Sequence, residues 1–220
     1  MKVLSWDVGI YNLSYCILEK NEETQDIKII DWNIVNLVDS IEMKKNRNLL
    51  FENIPRKLHE LPQLLDVDHV VIENQPSLKN PQMKSIQMIL YSYFLILGKI
   101  IGNGDKGTNY IENIDFCSAS NKLKVYNGPE IILEEKVSKR KKKIETVVIS
   151  TEVVVEIKEP EKKKKGSAVN YKDKKRLAIE HALYFVKLNN PSYLDFFNDH
   201  KKKDDLADSF LQGIYYLTKK

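Results

Sequence analysis

Short apolar runs that close on a polar or acidic residue recur in the first half of the chain. The first run spans residues 2–9 and closes on Asp7 and Gly9. Its apolar positions are all strand formers: Val3, Leu4, Trp6 and Val8. A run this apolar predicts a buried strand. A carboxylate inside a buried strand is costly without a partner. Asp7 therefore either bonds to a turn at Gly9 or serves as a metal ligand at the end of a central strand.

Four more strands are predicted after the first. Two of them, at residues 13–18 and 27–37, follow at once and are joined by short polar turns. Three consecutive strands with short loops predict an antiparallel meander. A fourth short run, residues 69–76, carries Glu73 near its end, and a fifth strand is predicted at residues 114–119.

Apolar residues at helical spacing fill the intervening and following segments. Pro55 and Pro62 argue against one unbroken helix in the first of these segments. A wide apolar face beginning at Pro81 marks the second, and its polar interruptions argue against a membrane span. The predicted helices cover residues 47–65, 81–101, 174–188 and 205–217.

Composition changes between residues 121 and 166, where lysine and glutamate dominate. Two basic runs, residues 139–143 and 162–165, flank an alternating stretch at 147–157 that predicts a strand or hairpin. Such basic runs are usually solvated surface, and binding to a DNA backbone is the alternative. We therefore expect one domain, residues 1–220, with a Lys/Glu-rich insertion at about 121–166.

Charge and cysteine content narrow the class of protein. The 220 residues carry a net charge of only +4, so a basic surface would have to be local. Two cysteines, Cys16 and Cys117, make neither a disulfide framework nor a zinc site and fit a reducing compartment. No signal peptide precedes the first strand, so we expect an intracellular protein.

Acidic residues lie where predicted strands end or helices begin. Asp7 and Glu73 close two strands, and Asp204, Asp205 and Asp208 open the last helix. Spacings of three and four place Asp208 on one helix face with Asp205 and with Asp204. Acids in a first helical turn can simply suit the helix dipole. If the first and fourth strands are neighbours, however, these carboxylates would converge, and a hard divalent cation would relieve their repulsion.

Four motifs at these positions resemble the Holliday junction resolvases of poxviruses and other large DNA viruses. These are relatives of the bacterial RuvC resolvase within the ribonuclease H-like superfamily. The motifs are residues 5–12 (SWDVGIYN), 72–76 (IENQP), 171–176 (YKDKKR) and 203–210 (KDDLADSF). The resemblance covers most of the chain outside the insertion. It implies an α/β fold with a five-stranded mixed sheet, three antiparallel strands followed by parallel ones, and helices on both faces.

The resemblance also implies a function. The protein would be a structure-selective endonuclease that resolves four-way DNA junctions by paired symmetric nicks, as a homodimer, during DNA recombination and repair. Its metal ligands would be Asp7, Glu73, Asp205 and Asp208, with Asp204 as the alternative to Asp205. They would hold two Mg²⁺ ions about 4 Å apart, and Mn²⁺ could substitute. A viral member would act at a cytoplasmic replication site or in the virion.

Lysines are the second group of candidates. The family places a basic residue near the scissile phosphate, before the penultimate long helix, and Lys175 matches best. Lys174 and Lys172 are the alternatives if the family motif is aligned to this segment in a different register. A lysine there can stabilise the charge of the transition state, whereas plain helix-surface charge is the simpler explanation. Lys122 and Lys124, at the start of the insertion, are candidates for DNA binding.

The apolar helix 81–101 is the candidate dimer surface, because a two-fold contact needs an apolar face. The simpler interpretation is that the apolar face of this helix packs only against the core of its own chain. Two other functions remain. A catalytically silent DNA-binding module would usually have lost a ligand type, but all four acids are present. A sugar-kinase-like ATPase needs two lobes and glycine-rich phosphate loops, for which 8 glycines leave little room.

Overall fold

The computed structural model describes residues 1–78, 80–102, 110–129, 131 and 171–219. The predicted strand or hairpin at 147–157 lies outside the described residues. The two basic runs at 139–143 and 162–165 lie outside them as well.

A five-stranded mixed sheet forms the centre of the molecule. The strands are β1 (Lys2–Val8), β2 (Asn12–Lys20), β3 (Ile27–Asn36), β4 (His69–Glu73) and β5 (Asn113–Cys117). Their order in the sheet is β3-β2-β1-β4-β5. The first three strands pair antiparallel, and β4 and β5 run parallel to β1. The predicted five-stranded mixed sheet, three antiparallel strands followed by parallel ones, is therefore confirmed.

The pairing of β1 with β4 sets the position of two acids. Trp6 pairs with Ile72 across the two strands. The next residue along each strand is Asp7 in one and Glu73 in the other. Since the strands are parallel, both carboxylates lie at the carboxyl edge of the sheet, side by side.

Six α-helices surround the sheet in the described residues. They are α1 (Ile41–Lys45), α2 (Arg47–His59), α3 (Pro81–Phe94), α4 (Tyr171–Asn189), α5 (Leu194–Asp199) and α6 (Lys203–Lys219). A π-helical segment, Leu95–Ile101, continues α3, and a 3₁₀ helix, Ala119–Val125, follows β5. Two further 3₁₀ turns are Pro62–Leu65 and Pro191–Tyr193.

The helix expected over residues 47–65 is interrupted in the structure. The helix α2 ends at His59, and Pro62 begins a separate 3₁₀ turn, because a proline provides no N–H to continue the ladder. Pro55 is accommodated inside α2. Of the two prolines, only the second one ends the helix.

Helices cover both faces of the sheet and bury two hydrophobic cores. On one face α2 and α3 pack against β1, with Trp6 and Phe94 at the centre. On the other face α6 packs against β1, β2 and β3, and α4 packs on α6; Trp32 of β3 stacks on Phe197 of α5 at 5.1 Å. Full burial of a side chain of this size contributes about 1.5–3 kcal/mol.

The segment Pro81–Ile101 is long and apolar enough to cross a membrane by length and composition alone. In this structure its inner face carries Ile86, Leu90 and Phe94, which are completely buried in the first core. We therefore interpret it as a core helix with an apolar outer face, as the polar interruptions in the sequence predict.

Candidate active site

Three carboxylates from three different elements converge on one lysine. Asp7 comes from β1, Glu73 from the end of β4 and Asp208 from the second turn of α6. The Nζ atom of Lys122 lies 2.7 Å from Asp7 Oδ1, 3.0 Å from Glu73 Oε1 and 3.1 Å from Asp208 Oδ2. We call Asp7, Glu73 and Asp208 the carboxylate cluster.

Close packing of α6 on the sheet places Asp208 beside the strand acids. Gln212 on α6 donates from Nε2 to Ser5 Oγ at 3.1 Å and to the Trp6 carbonyl at 3.0 Å. Gly213 permits this approach, since a Cβ there would lie 2.6 Å from Leu18 Cδ1. Asp208 lies one helical turn before Gln212, so the same contacts fix its position above β1 and β4.

Lys122 is almost completely buried, with 4% of its surface exposed. The 3₁₀ helix Ala119–Val125 carries it, and Leu123 and Val125 of the same helix pack on the second core. The residues from 121 onward were assigned to the insertion by composition, but residues 121–125 are part of the packed domain. Lys122 was expected among the DNA-binding residues, and the structure places it inside the carboxylate cluster instead.

The cluster carries more negative charge than one lysine neutralises. Burial, together with the neighbouring Asp7 charge, raises the pKa of Glu73 to about 8, while Lys122 opposes the shift. Burial also raises the pKa of Asp208 to about 6, again against the effect of Lys122. Burial lowers the pKa of Lys122, but the three carboxylates outweigh it and raise this pKa above its usual value. The site therefore attracts further positive charge.

The donor set of the cluster suits a hard cation. Carboxylate oxygens are the ligands that Mg²⁺ prefers, and three of them surround one point. Their distances to Lys122 Nζ, 2.7–3.1 Å, are hydrogen-bond distances, longer than the roughly 2.1 Å of a Mg–O bond. No group of three or more acidic, histidine or cysteine side chains in the described part of the chain is already spaced for a metal ion. The spacing of the carboxylates thus suits an ammonium group, and their oxygen atoms are the type of ligand that a Mg²⁺ ion prefers.

Asp205 and Asp204 face different partners. Asp205 lines the same cavity as the carboxylate cluster, and its Oδ2 lies 3.5 Å from Lys202 Nζ. Burial, Asp204 and Asp7 raise the pKa of Asp205. Asp204 instead pairs with Lys175, whose hydrogen bond and charge lower the pKa of Asp204 although burial opposes them. The structure brings Asp205 toward the cluster and keeps Asp204 on the lysine.

The other candidate lysines lie at different depths. Lys174 and Lys175 line the cavity from the first turn of α4, and Lys175 Nζ also lies over the Tyr171 ring at 5.3 Å. Lys172 is exposed on the same turn. Lys124 is exposed as well and donates to Asn121 Oδ1 at 2.7 Å.

A cavity of about 800 Å³ opens above the cluster. The turn between β1 and β2, the 3₁₀ helix Ala119–Val125 and the first turns of α4 and α6 surround it. The acids and the buried Lys122 lie at its base, and the more exposed Lys174, Lys175 and Lys202 lie at its rim. This arrangement can hold cations below and a phosphate group above them.

Sequence comparison finds viral relatives. Residues 113–220 match the model of a family described as Poxvirus A22 protein. An uncharacterised protein of Acanthamoeba polyphaga mimivirus is 36% identical over 171 residues, which is 75% of this chain. The chain spans 33% of the length of that curated relative.

Comparison with solved structures finds the same fold in three resolvases. The fowlpox virus resolvase in complex with Holliday junction DNA matches with a TM-score of 0.57 at 17% identity, over 100% of this chain and 98% of that one. The yeast mitochondrial Holliday junction resolvase Ydc2 gives a TM-score of 0.57 at 16% identity, over 98% and 78%. Thermus thermophilus RuvC in complex with its junction substrate gives 0.50 at 10% identity, over 98% and 92%.

Proposed function

We propose that the chain is a RuvC-like Holliday junction resolvase of the poxvirus type, an endonuclease that resolves four-way DNA junctions. One observation carries the proposal: Asp7, Glu73 and Asp208, distant in sequence, meet at the base of a cavity with lysines at its rim. The fowlpox virus resolvase, which has the same fold, was solved with Holliday junction DNA, and this supports a four-way junction as the substrate.

The excess negative charge of the site supports a metal-dependent activity. Asp7, Glu73, Asp205 and Asp208 would hold two Mg²⁺ ions, for which Mn²⁺ could substitute. The ions would activate a water molecule and stabilise the leaving oxygen of the phosphodiester. The acids themselves must be ionised to bind a cation.

Lys175 is the residue that we assign to the phosphate. Its hydrogen bond to Asp204 is the largest influence on its pKa, which is raised above the usual lysine value. Lys175 therefore remains a cation at neutral pH and cannot act as a general base. Held by Asp204 at the rim of the cavity, it can stabilise negative charge on a phosphate in the transition state. Lys174, Lys172 and Lys124 would contact the DNA backbone nearby.

Selectivity for a junction requires a test of shape, because a junction has no unique base sequence. Two active sites at a fixed spacing in a homodimer would provide that test and would account for paired symmetric nicks. An apolar groove of about 1050 Å³ lies between α2 and the outer face of α3. Ile96 lines this groove and is exposed, and Ile100 and Ile101, further along the same segment, are exposed as well. We place the two-fold contact on this face.

A catalytically silent DNA-binding module remains the second candidate, and one observation favours it. Lys122 occupies the centre of the carboxylate cluster, so the site in this conformation holds an ammonium group. Such a protein would bind junctions and leave them intact with any divalent cation.

A direct test uses a labelled four-way junction and a linear duplex of matching sequence, each incubated with Mg²⁺ and with chelator. Nicks at two symmetric points of the junction, only in the presence of metal, are the expected result. Equal cutting of the duplex would indicate a general nuclease. Binding without cutting in Mg²⁺ and in Mn²⁺ would indicate the silent module.

A further inference from the structure

Lys122 lies at the point where the three carboxylates of the cluster converge, and its side chain is buried there. We propose that Lys122 is a resident counter-ion of the active site, which holds the carboxylates together before metal binds and must leave that point when a divalent cation enters. This inference rests on the proposed metal-dependent function of the same site.

Geometry makes the two occupants mutually exclusive. Lys122 Nζ lies within 3.1 Å of an oxygen of each carboxylate, so an ion bound by the same three oxygens would lie in contact with the ammonium group. Two positive charges in contact repel strongly, most of all in a buried site. The cation and the ammonium group cannot share this position.

Charge balance leads to the same conclusion. Three buried carboxylates without any cation would repel one another, and some would take up protons. Lys122 offsets part of this charge, which keeps the cluster assembled in the absence of metal. With Asp205 included, four carboxylates would neutralise two divalent cations and leave no charge to hold an ammonium group.

The fold provides Lys122 with a way out. Lys122 lines the cavity of about 800 Å³ together with Asp7, Glu73 and Asp208. Its backbone lies in the 3₁₀ helix Ala119–Val125, at the side of that cavity. A lysine side chain has four rotatable methylene groups, so its ammonium group can swing into the cavity while the helix stays in place.

The cost of expelling Lys122 should appear in the affinity for metal. We expect Lys122→Met, which keeps the length of the side chain and removes its charge, to bind Ca²⁺ tighter than the parent by roughly tenfold or more, since a contacting like charge has been removed. Titration calorimetry with Ca²⁺ alone, without DNA, measures this. Lys124→Met is the matched control: it removes a lysine from the same 3₁₀ helix, where Lys124 is exposed and bonds to Asn121, and should leave the affinity unchanged.

Lysine acetylation of the parent protein tests the same exchange without any substitution at Lys122. Brief treatment with acetic anhydride, followed by peptide mass spectrometry, should find Lys122 protected without metal and several-fold more reactive in saturating Ca²⁺. Lys124 should react equally in both conditions. This measurement decides the matter if Lys122→Met does not fold without metal.

The outcomes separate this inference from the function on which it rests. Tighter Ca²⁺ binding by Lys122→Met, or exposure of Lys122 by Ca²⁺, supports the exchange. A second set of results would overturn the exchange and preserve the metal site. In it, Asp7→Asn abolishes Ca²⁺ binding, Lys122→Met leaves this binding unchanged or weakens it, and Lys122 is still protected from acetylation in Ca²⁺. Absence of Ca²⁺, Mg²⁺ and Mn²⁺ binding in the parent and in Lys122→Met would overturn the proposed metal-dependent function itself.

Discussion

The Nζ atom of Lys122 lies 2.7 Å from Asp7 Oδ1, although 115 residues separate these two positions in the chain. The contact joins the first strand to the short helix that follows the last one. It places a buried positive charge at the point where the acids of the candidate active site meet. Lys122 is therefore the positive charge on which the carboxylate cluster converges.

The two neighbouring acids at the start of α6 should differ in function. Asp205 lines the cavity, whereas Asp204 pairs with Lys175. We expect Asp205→Asn to weaken Ca²⁺ binding at least tenfold, which is the usual effect of losing a metal ligand or a residue that orients one. We expect Asp204→Asn to change Ca²⁺ binding less than about threefold. Calorimetry on the two variants, which are matched in chemistry and adjacent in sequence, measures the difference. A larger loss in Asp204→Asn would reassign the ligand to Asp204.

Lys175 should affect the rate of cutting more than the binding of DNA. Its ammonium group is held by Asp204 at the rim of the cavity, where it can stabilise charge that develops on the phosphate. We expect Lys175→Met to lower the single-turnover cleavage rate by roughly 100-fold with a small change in junction affinity. Lys172→Met, exposed on the same turn of α4, is the comparison. Equal rates in the two variants would make Lys175 an ordinary surface charge.

Metal binding should weaken as the pH falls. Burial raises the pKa of Glu73 to about 8 and that of Asp208 to about 6, so both carry protons in a range where ordinary carboxylates are ionised. A metal ion binds only the ionised form, and so binding releases these protons. We expect Ca²⁺ affinity to decrease steadily from about pH 8 to about pH 6. Calorimetry in buffers of different ionisation enthalpy counts the protons released. An affinity that is constant over this range would contradict the raised pKa values.

Gly213 should be required for the close approach of α6 to the sheet. A methyl group at this position would lie 2.6 Å from Leu18 Cδ1 and 3.2 Å from Ser5 Cβ. We expect Gly213→Ala to lower the free energy of unfolding by about 1–3 kcal/mol, the usual cost of overpacking a core. Because the same helix carries Asp208, metal affinity should also fall. Denaturant unfolding measures the first effect, and an unchanged midpoint would show that Leu18 moves aside freely.

The apolar outer face of the segment Pro81–Ile101 should form the dimer contact. We expect Ile100→Asp, at a side chain that is 63% exposed, to convert a dimer into a monomer. Ile30→Asp places the same charge on β3, at a side chain that is 45% exposed, and should leave the dimer intact. Sedimentation velocity distinguishes the two states. Dissociation by Ile30→Asp alone would move the interface to β3, and a monomeric parent would remove the dimer from the proposal.

The positions of Asp7 and Glu73 could be predicted because local rules determine them. Each acid closes a short apolar run, and parallel neighbours bring such ends to one edge of a sheet. Asp205 and Asp208 follow from helical spacing in the same way. These rules predicted the sheet and the starts of α2 and α3, and they placed the starts of α4 and α6 within three residues. The break at Pro62 showed that the context of each proline decides whether a helix ends there.

Lys122 could not be placed from the sequence. Ser120, Asn121 and Lys124 around it are polar or charged, so composition assigns it to the insertion that follows, although Leu123 and Val125 are apolar. Its burial depends on the path of the chain after β5, which carries the lysine back over the ends of β1 and β4. No local periodicity records such a long-range contact. The short helix α5 was missed for a related reason, since six residues are too few to show a helical repeat.

The most direct test of the central claim compares the parent protein with Asp7→Asn on a labelled four-way junction. Cleavage is measured in Mg²⁺, and binding is measured in Ca²⁺. The account predicts that both proteins bind the junction and that only the parent nicks it, with the rate of the variant reduced by a factor on the order of 100 or more. Asp7→Asn cutting at the parent rate would contradict the claim that this carboxylate cluster is the active site.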